Sequence, residues 1–273
     1  MDGRIDFSSC LKHVRKRKPL VHHITNYVTA ADCANAVLAA GGVPVMADAP
    51  EDVDHITGMA DSLVLNLGTM HKERLEVMLR AIRIAKEQGI PVVLDPVGCG
   101  ASLFRLSAAQ SIIDTGAVSV IRGNVGEMAA LVGHTLDERG VESGDSLSES
   151  LYENIKAFAK RHGLIAAATG KRDTVTDGQK SVIIYNGCKA LRHVTGGGCM
   201  VSSLCGAFCG ASPSNLLEAV SSAVVMMGLA GEIAWKYEEK RGLGHFHMGL
   251  FDAIGNMTGK DLMKGAAYEE MQA

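Results

Sequence analysis

Short apolar runs alternating with helical patterns at a steady pitch constrain this chain more than any other feature. Runs at 19–25, 43–46, 62–68, 91–95, 118–122 and 164–169 are interleaved with helix-like segments at 7–18, 29–40, 51–60, 71–88, 107–114, 124–132 and 149–162. In the 71–88 segment, Leu75, Met78, Leu79, Ile82 and Ile84 or Ala85 recur at roughly helical spacing. Pro19 stops the first helix, Thr29 suits an N-cap, and Gly41-Gly42 and Gly89 close later ones. Pro44 predicts an irregular strand at 43–46, because it cannot donate to a ladder. Strand and helix in alternation build βαβ units, hence an α/β fold whose mostly parallel sheet is covered on both faces.

The pattern changes after residue 169. Asp177-Gly178 between extended runs at 174–185 marks a hairpin. The small-residue segment 199–210 reads as a buried helix, and Ser214 as the cap of a long helix at 215–240. Two stretches read as loops: the polar one at 134–148 and the Gly/His-rich one at 242–249, which leads into a final short helix. No linker, repeat or low-complexity segment divides the chain, so residues 1–273 are read as one domain, a length that α/β folds reach.

A net charge of -3 without a basic block argues against nucleic acid or an anionic membrane as partner. The run Lys12, Arg15, Lys16, Arg17, Lys18 fits a solvated helix end. No uninterrupted apolar run reaches the ~18 residues of a membrane span, and the first nine residues are too polar for a signal peptide. Seven cysteines without paired spacing do not form a disulfide framework. These observations predict a reducing, cytoplasmic location.

Ligands of open parallel sheets bind beyond the carboxyl ends of the strands. Asp95 stands at such an end, before Pro96 and Gly98, and reads either as a turn acid or as a ligand to magnesium or its waters. Arg122-Gly-Asn-Val-Gly-Glu127 follows the next strand. Asn124 and Glu127 match a capping box, while Arg122 adds a cation suited to nucleotide phosphates. Thr169-Gly170 before the hairpin fits a flap over a nucleotide base as well as a plain surface hairpin. Thr195-Gly196-Gly197-Gly198-Cys199 places a pliable turn ahead of a helix start, where free N–H groups and the dipole seat an anion. Cys199 at its mouth is expected to have a lowered thiol pKa, the alternative being an inert buried cysteine.

Other chemistries lack their residues. There is no Walker loop, and no G-x-G-x-x-G follows an early strand. His22 and His23 alternate across a strand, His245 and His247 lie in a glycine loop, and Cys205 and Cys209 have no partner ligands.

In this order the motifs resemble those of the ribokinase-like kinases and, more narrowly, of the hydroxyethylthiazole kinases. The resemblance is carried by Leu20-Val-His-His-Ile-Thr-Asn26, Pro44-Val-Met-Ala47 and Leu65-Asn-Leu-Gly-Thr69, with Leu94-Asp-Pro-Val-Gly98, Ile121-Arg-Gly-Asn-Val-Gly-Glu127 and Val194-Thr-Gly-Gly-Gly-Cys199. Cysteine at the end of the last motif is its most specific element, since broader relatives carry aspartate there. Tyr27 stands where the family often has a second Asn, and Gly197 where alanine is common. The resemblance implies a three-layer αβα sandwich and ATP-dependent phosphorylation of the hydroxyethyl group of 4-methyl-5-(2-hydroxyethyl)thiazole, in thiamine salvage. By the same likeness Asn26, Met46 and Gly196 line the thiazole pocket, and Arg122, Thr169 and Thr195 contact ATP. Gly197 and Gly198 form the anion hole, Asp95 and Glu127 handle magnesium, and Cys199 receives the hydroxyl proton. It also implies a homotrimer with sites between subunits. Three rivals remain at this point: a hydroxymethylpyrimidine or pyridoxal-type kinase, a thiol hydrolase pairing Cys199 with His193, and a nucleotide-binding regulator.

Overall fold

A computed structural model describes residues 5–134 and 147–272, so most of the loop expected at 134–148 lies outside the described residues. The strands are β1 (Leu20–Ile24), β2 (Val43–Met46), β3 (Ser62–Asn66), β4 (Val92–Asp95), β5 (Val120–Asn124), β6 (Ile165–Thr169), β7 (Asp173–Thr176), β8 (Lys180–Ile184) and β9 (Tyr268–Gln272). Between them lie α1 (Phe7–Arg17), α2 (Ala30–Ala40), α3 (Val53–Met59), α4 (Lys72–Gln88), α5 (Leu103–Ile113), α6 (Val125–Leu131) and α7 (Glu149–His162). The chain then adds α8 (Gly197–Ala211), α9 (Leu216–Glu238), α10 (Leu243–Asn256) and α11 (Gly259–Gly265).

All nine strands form one sheet, in the order β2-β1-β3-β4-β5-β6-β7-β8-β9. Pairing is parallel from β2 to β6 and antiparallel from β6 to β9. Pro44 falls in the edge strand β2, where a missing N–H costs least.

Side chains alternate between two cores, as a period of two requires. Val21, Val64, Val93, Val120 and Ala167 face a core shared with α1, α2, α8, α9 and α10. Ile24, Leu63, Leu65, Leu94 and Ala168 face the opposite core, shared with α3 to α7. The result is a three-layer αβα sandwich. Among the described residues, the stretch 216–241 is long and apolar enough to cross a membrane, yet it lies largely buried inside the fold. It is a core helix packed between α8 and α10.

Several elements differ from expectation. The segment 242–249, expected to be a loop, is helical: Gly242 turns the chain at φ 95°, and α10 then buries Phe246, Leu250, Ala253 and Ile254 along one stripe. Trp235 of α9 meets Phe246 edge-on at 5.6 Å, so tertiary packing overrides the glycines. Strand β9 was not expected, since Tyr-Glu-Glu-Met-Gln is mostly exposed and held by its ladder to β8. Helix α5 starts four residues earlier than predicted and α8 two residues earlier, while Asn215, not Ser214, is the cap residue of α9.

Candidate active site

The two-residue period of the strands positions the site. Beyond Val64, Val93, Val120 and Ala167 on the α8 face, the next residues of the same parity are Asn66, Asp95, Arg122 and Thr169, at the strands' carboxyl ends. Asn66 lies opposite Asp95 in the ladder. Helix α8 packs over β1, β3, β4 and β5 and brings its first turn to this row.

Asp95 is completely buried. Its Oδ2 accepts from Asn66 Nδ2 at 2.8 Å. Its Oδ1 has no hydrogen-bond partner and lies 3.9 Å from Arg122 Nη1. Burial pushes the carboxyl up to about 6, against the opposing pull of Arg122 and with the neighbouring charge of Glu127 adding to the rise. Arg122 in turn donates to Thr169 Oγ1, which bonds the Gly123 carbonyl at 3.3 Å. A Cβ on Gly198 would sit 2.4 Å from Arg122 Nη1, so only glycine lets the guanidinium lie against the start of α8. Gly196, at φ 85°, is the cap of that helix and abuts Thr29.

Glu127 has a firm structural task. Its Oε2 accepts from Asn124 N at 2.8 Å while Asn124 Oδ1 accepts from Glu127 N at 2.9 Å, a complete capping box. Its Oε1 reaches across to Gly98 N at 2.9 Å and ties the helix to the turn after β4. Each oxygen keeps a spare lone pair for water. Among the described residues, no group of three or more His, Cys, Asp or Glu side chains gathers as a direct metal site. The pair Asp95 and Glu127 therefore fits a hydrated cation better than a stripped one.

A cavity of about 410 Å³ opens beside this row. Arg122, Asn124, Thr169, Gly197 and Gly198 form one wall, and Val201, Val224 and Met227 an apolar one. The first bond of α8 runs from Met200 N to the Gly196 carbonyl at 2.8 Å, which leaves the N–H groups of 197–199 outside the helical ladder. Of the expected residues, Arg122, Thr169, Gly197 and Gly198 line this cavity, while Asn26, Met46, Asp95, Glu127, Thr195, Gly196 and Cys199 do not. Thr195 is exposed, immediately before the left-handed Gly196. Met46 is 37% exposed on the edge strand β2, one strand beyond β1.

Cys199 is the third residue of α8, and its sulfur accepts from Asn66 Nδ2 at 3.2 Å and Asn26 Nδ2 at 3.5 Å. The expectation of a lowered thiol pKa is overturned. Burial raises it and the charge of Asp95 adds to the rise, outweighing the donors and Arg122. Asn26 also differs from its expected role: its side chain is 4% exposed and spent on Thr29, Asn66 and Cys199 rather than turned to a pocket. His193, the hydrolase candidate, is exposed, and the sulfur's described hydrogen-bond partners include no imidazole.

Sequence reasoning missed four contributors. Asn66 continues the Leu-Val-Leu alternation of β3, so the period of two was a usable signal. Asp173 accepts from Gly170 N at 2.8 Å and holds the turn after Thr169, with burial pushing its carboxyl up to about 6. Asn186 and Cys188 also line the cavity, and nothing local in the sequence marks them.

A family model described as the hydroxyethylthiazole kinase family matches residues 11–260. The chain belongs to the hydroxyethylthiazole kinase family. It is 41% identical over 271 residues to the hydroxyethylthiazole kinase of Clostridium beijerinckii, covering 98% of both chains. A solved hydroxyethylthiazole kinase from Pyrococcus horikoshii superposes with a TM-score of 0.86 at 39% identity, over 97% of this chain and 99% of that one. A ribokinase-like superfamily protein from Enterococcus faecalis shares the fold, with a TM-score of 0.61 at 12% identity over 91% and 89% of the two chains. The activity is that of the family, ATP-dependent phosphorylation of hydroxyethylthiazole in thiamine salvage. The ribokinase-like fold and an alcohol acceptor follow with it.

Proposed function

We propose that this kinase seats the triphosphate of ATP on the first turn of α8 and on Arg122, and passes the proton of the acceptor hydroxyl to Cys199. One observation carries the reading: a single helical turn supplies two cavity-lining residues, Gly197 and Gly198, and the sulfur beside them. Phosphoryl transfer of this kind needs positioning and charge neutralisation more than covalent help. Arg122 and the open N–H groups meet the charge on the phosphates, and Thr169 fixes the guanidinium. The hydroxyl proton departs late in a loose transition state, so a mostly protonated thiol with a small thiolate fraction suffices. Magnesium fits the carboxylate pair through its waters, because Asp95 has an unpartnered oxygen and Glu127 has spare lone pairs. When bound it would neutralise phosphate charge.

The acceptor pocket is assigned to Asn26, Met46 and Gly196, with Asn26 acting from behind through Cys199. Met46 lies away from the cavity, which favours a homotrimer in which one subunit's β2 edge completes the partner's site. Tyr27 at 78%, Val28 at 61% and Val43 at 42% exposure give that edge an apolar face. Seven free cysteines support a reducing, cytoplasmic setting, and the shared nine-stranded sheet supports one kinase domain over residues 1–273. The deciding experiment is Cys199→Ala. It should lower kcat by about 10²-fold or more while calorimetric ATP affinity stays unchanged. Loss of ATP binding in that variant, or full activity, would sink the proton-acceptor role.

A further inference from the structure

Asn66 ends β3 between Asp95 and the Cys199 sulfur, and is 1% exposed. Its Oδ1 accepts from the Gly68 N–H at 2.9 Å and from Asn26 Nδ2 at 2.9 Å. A backbone N–H can only donate, so the amide oxygen is fixed on that side and Nδ2 must face the other way. There it donates to Asp95 Oδ2 at 2.8 Å and to Cys199 Sγ at 3.2 Å. Asn26 is locked by the same logic. Its Oδ1 accepts from the Thr29 N–H at 3.0 Å and the Thr29 hydroxyl at 3.1 Å, and its Nδ2 serves Asn66 and the sulfur. The arrangement is built into the backbone as well. A Cβ on residue 68 would lie 2.9 Å from Asn66 Oδ1 and 2.9 Å from Asn26 Cβ, so only glycine fits there.

The four amide hydrogens of the two asparagines are thereby assigned, two of them to one sulfur. A thiolate sulfur has three lone pairs. Two face the amides, and the third is left for a proton. Thr29 also borders the sulfur; its single hydroxyl hydrogen serves either the sulfur or, at 3.1 Å, Asn26 Oδ1, and in the second arrangement the third lone pair is open to the acceptor hydroxyl. We propose that Asn66 is a positioning residue for the phosphoryl transfer, holding the Cys199 sulfur and the Asp95 carboxylate on one amide so that a single sulfur lone pair meets the acceptor hydroxyl. In the step itself the hydroxyl O–H bond breaks and its proton goes to the thiolate as an S–H bond. The oxygen's electron pair forms the new O–P bond, and the bond from the γ-phosphorus to the bridging oxygen breaks with its electron pair leaving on ADP. Asn66 loses no proton and touches no substrate. This rests on Cys199 as the proton acceptor.

The test is a double-mutant cycle on the full chain. Asn66→Ala and Asn66→Ser are made with Cys199 intact and in Cys199→Ala, and kcat and the KM for ATP are measured with the thiazole alcohol. With the sulfur present, Asn66→Ala should lower kcat by about 10²-fold and Asn66→Ser by less, each leaving the KM for ATP within about threefold. Without the sulfur the further loss should be under about threefold, because the proton acceptor that the amide orients is gone. The serine variant tolerates burial better and keeps one donor. It carries the test if the alanine variant melts early, and should recover part of the lost rate. Equal losses in both backgrounds, or a loss confined to the KM for ATP, would overturn the positioning role. A Cys199→Ala enzyme with full activity would instead overturn the proton-acceptor reading beneath it, so the two failures are distinct.

Discussion

The two ends of the active site are built in opposite ways. At the proton end, Cys199, Asn26, Asn66 and Asp95 form a dense polar cluster in which every amide hydrogen has an assigned acceptor. At the nucleotide end, Arg122, Thr169 and the start of α8 border a cavity of about 410 Å³, with helix N–H groups still to be satisfied. The difference follows ligand size. A proton moves a fraction of an ångström and demands fixed partners, which a dense buried hydrogen-bond network supplies. A nucleotide must enter and leave, so its donors wait at the wall of an open space. Damage at the first end should therefore appear in kcat, and damage at the second in ATP binding as well.

The harshest test of that contrast is Arg122→Ala. It removes the buried cation of the nucleotide end and should cost about 10³-fold in kcat/KM, with a raised KM for ATP. A fall in kcat alone, in steady-state kinetics, would merge the two ends into one. Next comes pH. Because burial holds the Cys199 thiol above its ordinary value, the thiolate fraction grows throughout the neutral range. The value of kcat should rise by up to about tenfold per pH unit between roughly pH 7 and 9. Cys199→Asp, already ionised there, should stay active and flatten the profile. A flat wild-type profile with chemistry rate-limiting would remove the thiol from the proton path.

Gly198→Ala should act more gently and only at the nucleotide end. The new methyl displaces the Arg122 guanidinium, which lies 2.4 Å from the Cβ position, and the KM for ATP should rise about tenfold with kcat less affected. The smallest effect is on stability. Asp95 titrates near 6 in the fold against 3.8 in a free chain, so folding favours its protonated form. That contribution is complete below the unfolded value and is lost as pH rises through 6. In metal-free protein, Asp95→Asn should therefore stabilise by about 3 kcal/mol above pH 7 and by nearly nothing below pH 4, read as Tm. Equal stabilisation at both pH values would mean that the buried charge is not what strains this end.

The parallel half of the molecule was legible because its signals are local. Apolar runs, terminating glycines and strand-end Asp95, Arg122 and Thr169 all declare themselves within a few residues. Asn66 was equally legible through strand parity, yet it reads as an ordinary strand terminus until Cys199 is brought above it. The sign of the thiol shift was not legible, since burial by α8 and the proximity of Asp95 arise only on folding. Nor were α10 and β9, whose glycines and exposed glutamates mask elements held by α9 and by the β8 ladder.

One detail of the nucleotide wall bears on how the chain assembles. Asn186, which lines the cavity, is pinned by its Nδ2 to the Gly265 carbonyl and by its Oδ1 to Ala267 N, partners 79 and 81 residues away. Tyr185 N likewise bonds the Ala267 carbonyl. Contacts of such sequence separation carry a loop-closure cost that neighbouring βαβ units do not. During refolding, the parallel strands β1 to β6 can pair from nearer contacts first, whereas ATP affinity returns only when the distant segment docks. The proton cluster, whose Cys199 bonds span 133 and 173 residues, closes late as well. Competence to bind nucleotide thus becomes a readout of completed folding.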